Sequence, residues 1–131
     1  MKQKLSIIKI GGNIIEDQDY LSQFLKLFAQ LEGRKILVHG GGKRATDLGK
    51  RLGIESKMVE GRRITDAKSL ELVVMVYAGL VNKNIVAQLQ ANNSNAIGLS
   101  GADANTVIAV KRPVNKLDFG FVGDIVDVNA G

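Results

Sequence analysis

Two short apolar runs, each ending in consecutive glycines, most constrain what this chain can fold into. Leu5-Ser6-Ile7-Ile8-Lys9-Ile10 stops at Gly11-Gly12, and Lys35-Ile36-Leu37-Val38-His39 stops at Gly40-Gly41-Gly42. Short β-branched runs of this kind, bounded by glycine, are typical of buried strands. Because a helical pattern follows each glycine turn, the order strand, helix, strand, helix predicts a parallel sheet covered by helices.

Helical spacing of apolar residues predicts three helices, over residues 19–31, 43–52 and 67–91. The first has an acidic start at Asp17 or Asp19, and Thr65 or Asp66 can cap the third. Glycine follows the first and second helices, as expected at helix C-termini. The ends of all three segments therefore agree with their apolar spacing.

The long third helix carries more apolar surface than a single core contact needs. One stripe consists of Leu70, Val73, Val74, Tyr77, Val81 and Ile85. A second apolar face consists of Leu72, Met75, Val76, Gly79 and Val86. We interpret the second face as surface that is buried against another subunit or another half of the protein.

The remaining segments predict mostly extended structure. Residues 57–60 and 62–64 flank a glycine and predict a small hairpin. Residues 95–99 are predicted to form a third strand of the sheet. Residues 106–111 and 121–126 are predicted to pair as a β ribbon that no helix covers.

Composition excludes several classes of protein. The chain has 131 residues, 45% of them hydrophobic, which suits one globular domain. It lacks cysteine, so disulfide frameworks and thiolate metal sites are excluded, and no run of about 18 apolar residues predicts a membrane span. We therefore expect a cytoplasmic protein that does not associate with membranes.

The net charge of +5 raises the question of nucleic-acid binding. The basic residues are dispersed, and none of the six aromatic residues (two Tyr and four Phe) lies among them to stack on bases. Attraction of small anions, such as nucleotides and carboxylates, accounts for the same surplus. We expect no nucleic-acid partner.

Both glycine turns have the features of an anion-binding site. Glycine lets the backbone pass close to an anion, and the N–H groups of a strand-to-helix turn point towards it. Lys9 adds a mobile positive charge that suits a transferring phosphoryl group, and Arg62 or Arg63 can grip a carboxylate with two parallel hydrogen bonds. Each feature also has a structural interpretation, as a tight turn or a solvated arginine pair. For His39, a hydrogen-bonded role at the strand end is favoured over acid–base chemistry.

Two other kinds of chemistry fit parts of the pattern. Gly40-x-Gly42-x-x-Ala45 matches a loose dinucleotide fingerprint, with Glu60 near the expected acidic position. His39 with its glycines also resembles an esterase oxyanion segment, and Gly98-Leu99-Ser100-Gly101-Ala102 is close to a nucleophile elbow. The hydrolase hypothesis needs a second histidine as base, and the chain has one histidine. The dinucleotide hypothesis leaves the Lys9 turn unexplained.

Six short segments, spread over the whole chain, form a joint pattern. They are Lys9-Ile10-Gly11-Gly12, His39-Gly40-Gly41-Gly42, Gly61-Arg62-Arg63-Ile64-Thr65-Asp66, Asn82-Lys83, Gly98-Leu99-Ser100-Gly101-Ala102-Asp103 and Gly120-Phe121-Val122-Gly123-Asp124. In this order and spacing they resemble the N-acetylglutamate kinases of the amino-acid-kinase family. The resemblance implies an α/β three-layer sandwich with a mainly parallel central sheet, of which this chain is the N-terminal portion.

The resemblance also implies an activity and site residues. The reaction is ATP-dependent phosphorylation of the side-chain carboxylate of N-acetylglutamate, or of a related N-acylglutamate such as N-succinylglutamate, in arginine biosynthesis. ATP would arrive with Mg²⁺, with no protein-bound metal, and a homodimer would form through the helix around residues 67–91. The implied site residues are Lys9 as transition-state stabiliser and ATP phosphate ligand, Gly11 and Gly12 at the ATP phosphates, and Gly41, Gly42 and Arg63 at the acylglutamate.

Members of that family are longer than this chain, and their C-terminal half forms most of the nucleotide site. Residues 1–131 are therefore expected to be the acylglutamate-binding domain, with little or no kinase activity alone. Alternative hypotheses are another amino-acid or carbamate kinase, a fragment of a dinucleotide-binding oxidoreductase, and a truncated binding module without catalysis. The sequence does not distinguish acetyl from succinyl substrates.

Overall fold

A pair of parallel strands carries the two glycine turns. The computed structural model describes residues 4–130, in which β1 (Leu5–Ile10) pairs with β2 (Arg34–His39). The register runs without interruption from Leu5 opposite Arg34 to Ile10 opposite His39. The predicted parallel pairing is confirmed, and both strands end at the same edge.

Two helices connect these strands. A short helix, α1 (Gly12–Glu16), was not predicted and follows the first glycine turn directly. In α2 (Gln18–Gln30), the N-cap is Asp17, whose carboxylate accepts the backbone N–H groups of Asp19 and Tyr20 at 3.0 Å. The predicted helix and its acidic start are therefore confirmed.

The helix after the second glycine turn, α3 (Gly42–Arg51), begins one residue earlier than predicted. The predicted hairpin is confirmed as the antiparallel pair β3 (Met58–Val59) and β4 (Arg62–Arg63). The ribbon is confirmed as β5 (Val107–Lys111) paired antiparallel with β6 (Gly123–Val128).

The long helix is continuous over Ala67–Ala91 but changes its winding in the middle. It consists of α4 (Ala67–Val74), a π-helical segment (Met75–Val81) and α5 (Asn82–Ala91). The apolar side chains that it buries are Leu72, Val76, Val81, Ile85 and Leu89.

Our assignment of its two apolar faces was therefore wrong in part. Leu72 and Val76 belong to the core, whereas Val74 is 55% exposed. In a π turn the hydrogen bonds run from i to i+5, so one extra residue is inserted and the stripe shifts round the helix. The buried spacing is four residues from Leu72 to Val76 and five from Val76 to Val81. A model based on 3.6-residue periodicity cannot include this shift.

The predicted third strand over residues 95–99 was also wrong. This segment has no ladder partner among residues 4–130 and packs beside α5 instead. Side chains of α5 donate hydrogen bonds to its carbonyl groups. Gln90 Nε2 donates to the carbonyl oxygen of Ala96 at 3.0 Å, and Lys83 Nζ donates to that of Gly98 at 2.9 Å. A short apolar run contains no information about which side chains will meet its backbone.

The core lies between the helices and one face of the β1–β2 sheet. Leu21, Leu25 and Phe28 of α2 meet the buried stripe of the long helix there, together with Ile10. The opposite sheet face remains exposed and apolar in residues 4–130, through Leu5, Ile7, Ile36 and Val38. Parallel sheets normally have both faces covered. The α/β class is thus confirmed, and residues 4–130 supply one of its helical layers.

By length and mean hydropathy alone, Ala67–Ala91 is long and apolar enough to cross a membrane. Its buried stripe, however, forms part of the core described above, as a core helix of a globular protein would. The charged residues Lys68, Glu71 and Lys83 also interrupt its length. The helix is therefore weak evidence for a membrane span.

Asp66 gives this helix a pH-sensitive N-terminus. Its carboxylate accepts the backbone N–H of Ser69 at 2.8 Å, and hydrogen bonds from Ser69 hold the pKa of Asp66 below its ordinary value. A lowered folded-state pKa means that the cap stabilises the fold above the unfolded-state pKa of about 3.9 and is lost as pH falls through the folded value. We expect Asp66→Ala to lower the melting temperature at pH 7.

Melting curves of wild type and Asp66→Ala between pH 7 and pH 3 test this expectation. The difference between the two proteins should shrink as acid protonates the cap. The matched control is Asp19→Ala, which also removes an exposed aspartate but leaves the Asp17 cap in place. A difference for Asp66→Ala that stays constant down to pH 3 would contradict the capping role.

Candidate active site

The two glycine turns lie side by side at the carboxyl edge of the β1–β2 pair. Gly11 is the N-cap of α1 and Gly41 the N-cap of α3, and neither helix has a side-chain cap. The first N–H groups of a helix have no partner within it. Two sets of free N–H donors therefore meet at one sheet edge, the position at which open α/β sheets bind ligands.

The first turn has no packing reason to be glycine. A Cβ built on Gly11 or Gly12 would meet nothing within 4 Å. Gly11 has φ −88° and ψ 175°, a conformation that any residue can adopt. Since the fold leaves room for a side chain here, close approach of a ligand to the backbone remains the best explanation of both glycines.

In the second turn, by contrast, a tyrosine lies close to the glycines. A Cβ on Gly41 would come within 3.3 Å of the ring of Tyr77, and one on Gly42 within 3.1 Å of its hydroxyl. The close packing of Tyr77 therefore favours glycine at two of these three positions, in addition to the ligand approach that we preferred over a simple tight turn. We had assigned Tyr77 to an apolar stripe of the helix, and no local signal indicated that the π-helical segment would turn it towards this loop.

Arg63 lies at the start of α3, beside the second turn. Its guanidinium donates from Nη2 to Thr46 Oγ1 at 2.8 Å and to the carbonyl oxygen of Gly42 at 3.3 Å, and from Nη1 to Ser56 Oγ. These contacts hold a positive charge next to free N–H groups of a helix N-terminus. The structure thus brings together Gly41, Gly42 and Arg63, as predicted.

Strand alternation separates this arginine from its neighbour. Arg62 is exposed on β4, whereas Arg63 is partly buried. Only the family resemblance pointed to Arg63, because the residues alone did not distinguish the two arginines. Successive strand residues point to opposite sides, so only one of an adjacent pair can reach α3.

Lys9 lies one residue before the end of β1, opposite Val38. Its side chain is exposed, on the same uncovered sheet face as Ile7. Within residues 4–130 no hydrogen bond or ion pair holds its amine. Lys9 therefore lies near the sheet edge that carries the glycine turns, but no contact joins its amine to either turn.

His39 has the structural role that we favoured. Its Nδ1 lies 2.9 Å from the carbonyl oxygen of Gly40, and its Nε2 lies 3.1 Å from Asn82 Nδ2. Ser100, the candidate elbow serine, donates instead to Asp103 Oδ2 at 2.7 Å. Neither group is available to act as a hydrolase base or nucleophile towards the other.

Two acidic residues singled out in the sequence lie in local turns and loops. The carboxylate of Asp103 accepts hydrogen bonds from the backbone N–H and the hydroxyl of Ser100, within the same loop. These bonds keep the pKa of Asp103 below its ordinary value. Glu60, the acidic residue of the dinucleotide hypothesis, lies in the β3–β4 turn with φ 49°. Among residues 4–130 no group of three or more histidine, aspartate or glutamate side chains could hold a metal ion.

Comparison with known proteins assigns the family. Residues 4–131 match the model of the amino acid kinase family, and the chain belongs to that family. It is 63% identical over all 131 residues to the acetylglutamate kinase of Phocaeicola vulgatus and 58% identical over 130 residues to that of Bacteroides fragilis. It covers 51% and 50% of these two relatives, so the chain spans about half their length.

Solved structures agree with this assignment. The crystal structure of smu.665 from Streptococcus mutans matches with a TM-score of 0.75 and 28% identity, over 95% of this chain and 51% of that one. An N-acetylglutamate synthase from Neisseria gonorrhoeae matches with a TM-score of 0.61 and 21% identity, over 95% of this chain and 31% of its own. The latter match shows a shared fold.

Proposed function

We propose that this chain is the N-terminal, acylglutamate-binding domain of an acetylglutamate kinase, which phosphorylates the side-chain carboxylate of N-acetylglutamate with ATP in arginine biosynthesis. The arrangement of Arg63 beside the free N–H groups of Gly41 and Gly42 is the observation that carries the proposal. The acetylglutamate kinase names of the relatives, at 58–63% identity, support it independently. The dinucleotide alternative loses its acidic residue, because Glu60 lies in a hairpin turn.

The acceptor chemistry needs positioning more than proton transfer. A glutamate side-chain carboxylate is already ionised at neutral pH, so no general base has to activate it. Arg63 would hold the carboxylate that does not react through the guanidinium N–H groups that Ser56, Thr46 and Gly42 leave free. A second, parallel hydrogen bond would require Nη2 to exchange its contact with Thr46 or Gly42 for the carboxylate. The N–H groups of Gly41 and Gly42 would orient the acyl amino acid so that its side-chain oxygen faces the phosphoryl donor.

On the donor side, Gly11 and Gly12 would approach the phosphates of ATP through backbone N–H groups. Lys9 would neutralise negative charge on the transferring phosphoryl group in the transition state. Its free amine and exposed position suit a ligand that arrives from the uncovered side of the sheet. Mg²⁺ would enter bound to ATP. We expect cytoplasmic function, where ATP and the amino-acid precursor are both available.

We further propose that the long helix forms a homodimer contact. Val74, Met75 and Leu80 of this helix are each more than half exposed. Exposed apolar surface of this kind is typical of protein interfaces. This replaces the interface face predicted from the sequence, two members of which are in the core.

Leu80→Glu should therefore convert a dimer into a monomer, because a carboxylate would be desolvated at the contact. Sedimentation equilibrium of wild type and variant measures this. Leu27→Glu is the matched control, since Leu27 is 66% exposed on α2 and does not belong to the long helix. A wild-type monomer, or a Leu80→Glu dimer of unchanged affinity, would contradict the proposed interface.

Titration calorimetry of the chain with N-acetylglutamate, N-succinylglutamate and NAD tests the proposed function. Heat from either acylglutamate, and none from NAD, is the expected result. Heat from NAD alone would establish the dinucleotide alternative. We also expect little ATP turnover by these residues alone, and robust turnover would contradict a requirement for the C-terminal half of the relatives.

A further inference from the structure

Asn82 is a buried polar residue in the middle of the long helix. It is 7% exposed, and Asn82 and Lys83 form one of the segments to which the proposed function assigns no role. Its Nδ2 lies 3.1 Å from Nε2 of His39, while its Oδ1 is buried without a hydrogen-bond partner in the described part of the chain. Burying an amide costs free energy wherever one of its polar atoms lacks a hydrogen-bond partner, so this position calls for an explanation.

The hydrogen bonds define which nitrogen of the His39 ring carries the proton. A backbone carbonyl can only accept, so the 2.9 Å contact with Gly40 requires a proton on Nδ1. In the neutral ring Nε2 then has a free lone pair, which accepts from the amide of Asn82. Of the two neutral tautomers, only the one with the proton on Nδ1 can hold the Gly40 carbonyl, and the hydrogen bond from Asn82 stabilises that tautomer over the other.

Holding the carbonyl of Gly40 also orients the next N–H group. The peptide between Gly40 and Gly41 is planar and trans, so its C=O and N–H point in opposite directions. Because His39 holds the carbonyl on one side, the N–H of Gly41 is directed to the other. Glycines have the widest conformational freedom, so this peptide needs an external restraint to keep one orientation.

The far side of Asn82 is closed by residues 95–99. Gly98 lies so close to Asn82 Oδ1 that any side chain there would overlap it, and Lys83 Nζ donates to the carbonyl oxygen of Gly98 at 2.9 Å. The amide is therefore enclosed between Gly98 and His39. This explains the Gly98 and Asn82-Lys83 segments by one arrangement.

We propose that Asn82 and His39 are positioning residues for the acceptor turn: Asn82 selects the ring tautomer through which His39 directs the N–H of Gly41 to the substrate. This inference rests on the proposed function for the identity of the substrate. The pair itself can be tested without any ligand. Asn82 and His39 are not catalytic residues, since neither is placed in contact with the reacting atoms.

The first measurement is the ¹⁵N NMR spectrum of the histidine ring at neutral pH, without ligand. His39 is the single histidine, so its ring signals need no assignment. We expect a protonated Nδ1 and an unprotonated Nε2 in the wild type, and loss of this single tautomer in Asn82→Leu. Asn84→Leu is the matched control, because Asn84 lies on the same helix and bonds to Gln88 instead.

The second measurement is calorimetric titration of the same proteins with N-acetylglutamate. Asn82→Leu should bind about fivefold more weakly, the effect of one hydrogen bond, and Asn84→Leu should match the wild type. A wild-type ring protonated on Nε2, or an Asn82→Leu variant with unchanged affinity, overturns the inference. If the wild type shows the expected tautomer but binds no acylglutamate, the proposed function fails and the pair stands.

Discussion

Arg63→Ala is expected to weaken N-acetylglutamate binding by at least about thirtyfold, because truncating one partner of a charge-assisted pair typically costs about 2 kcal/mol or more. The guanidinium is held at the N-terminus of α3 by Thr46, Ser56 and the carbonyl of Gly42. It can therefore meet a carboxylate without being ordered first, which increases its contribution to binding.

Arg62→Ala is the matched control for this prediction. Arg62 is adjacent, carries the same charge and is exposed, so its removal changes the net charge equally without reaching the turn. Calorimetry should find Arg62→Ala close to wild type. Arg63→Lys should remain impaired, because an ammonium group cannot reach Thr46, Ser56 and the ligand at the same time as the planar guanidinium can. Equal losses from Arg62→Ala and Arg63→Ala would show that general electrostatic attraction, and not a directed contact, binds the ligand.

Gly41→Val is expected to weaken N-acetylglutamate binding by about a hundredfold or more, so that no binding is measured. A displacement of the binding groups by about 1 Å is enough for a loss of this size. A Cβ at this position already lies within 3.3 Å of the Tyr77 ring, and the γ carbons of valine extend further. The turn would have to move away from the tyrosine, which displaces the N–H groups of Gly41 and Gly42.

The double variant Gly41→Val with Tyr77→Ala separates two causes of that loss. If the ring alone forces the turn to move, removing it should restore much of the binding. If the valine side chain blocks the ligand directly, binding should stay absent while thermal stability recovers. Gly79→Ala serves as the control, because a Cβ at Gly79 meets nothing within 4 Å. Normal binding by Gly41→Val would exclude this turn from the acceptor site.

Local signals predicted most of the fold. The β1 and β2 runs and the ribbon were identified from composition and glycine punctuation, and an acidic start at Asp17 or Asp19 marked the beginning of α2, which the structure assigns to Asp17. These signals act over a few residues, so they are readable without knowledge of the rest of the chain. The failure at residues 95–99 has the same origin, since whether an extended segment joins a ladder depends on which backbone or side chain lies beside it.

Of the candidate site, the sequence predicted only the part that lies at the ends of the two strands. Parallel strands end at one edge, so both glycine turns had to meet there, and the resemblance to a family named Lys9 and Arg63. The sequence could not indicate Tyr77 or the link from Asn82 to His39. These contacts join residues 36 and 43 positions apart, from Gly41 to Tyr77 and from His39 to Asn82.

The sequence by itself thus determined two strand–glycine turns, the acidic start of α2 and an edge at which both turns meet. The tertiary structure decided which side chains surround that edge. The physical reason is the rotation of the long helix: one inserted residue in its π-helical segment places Val81 and Ile85 in the core below Val76. That rotation depends on packing against distant parts of the chain, and no periodicity within the helix encodes it.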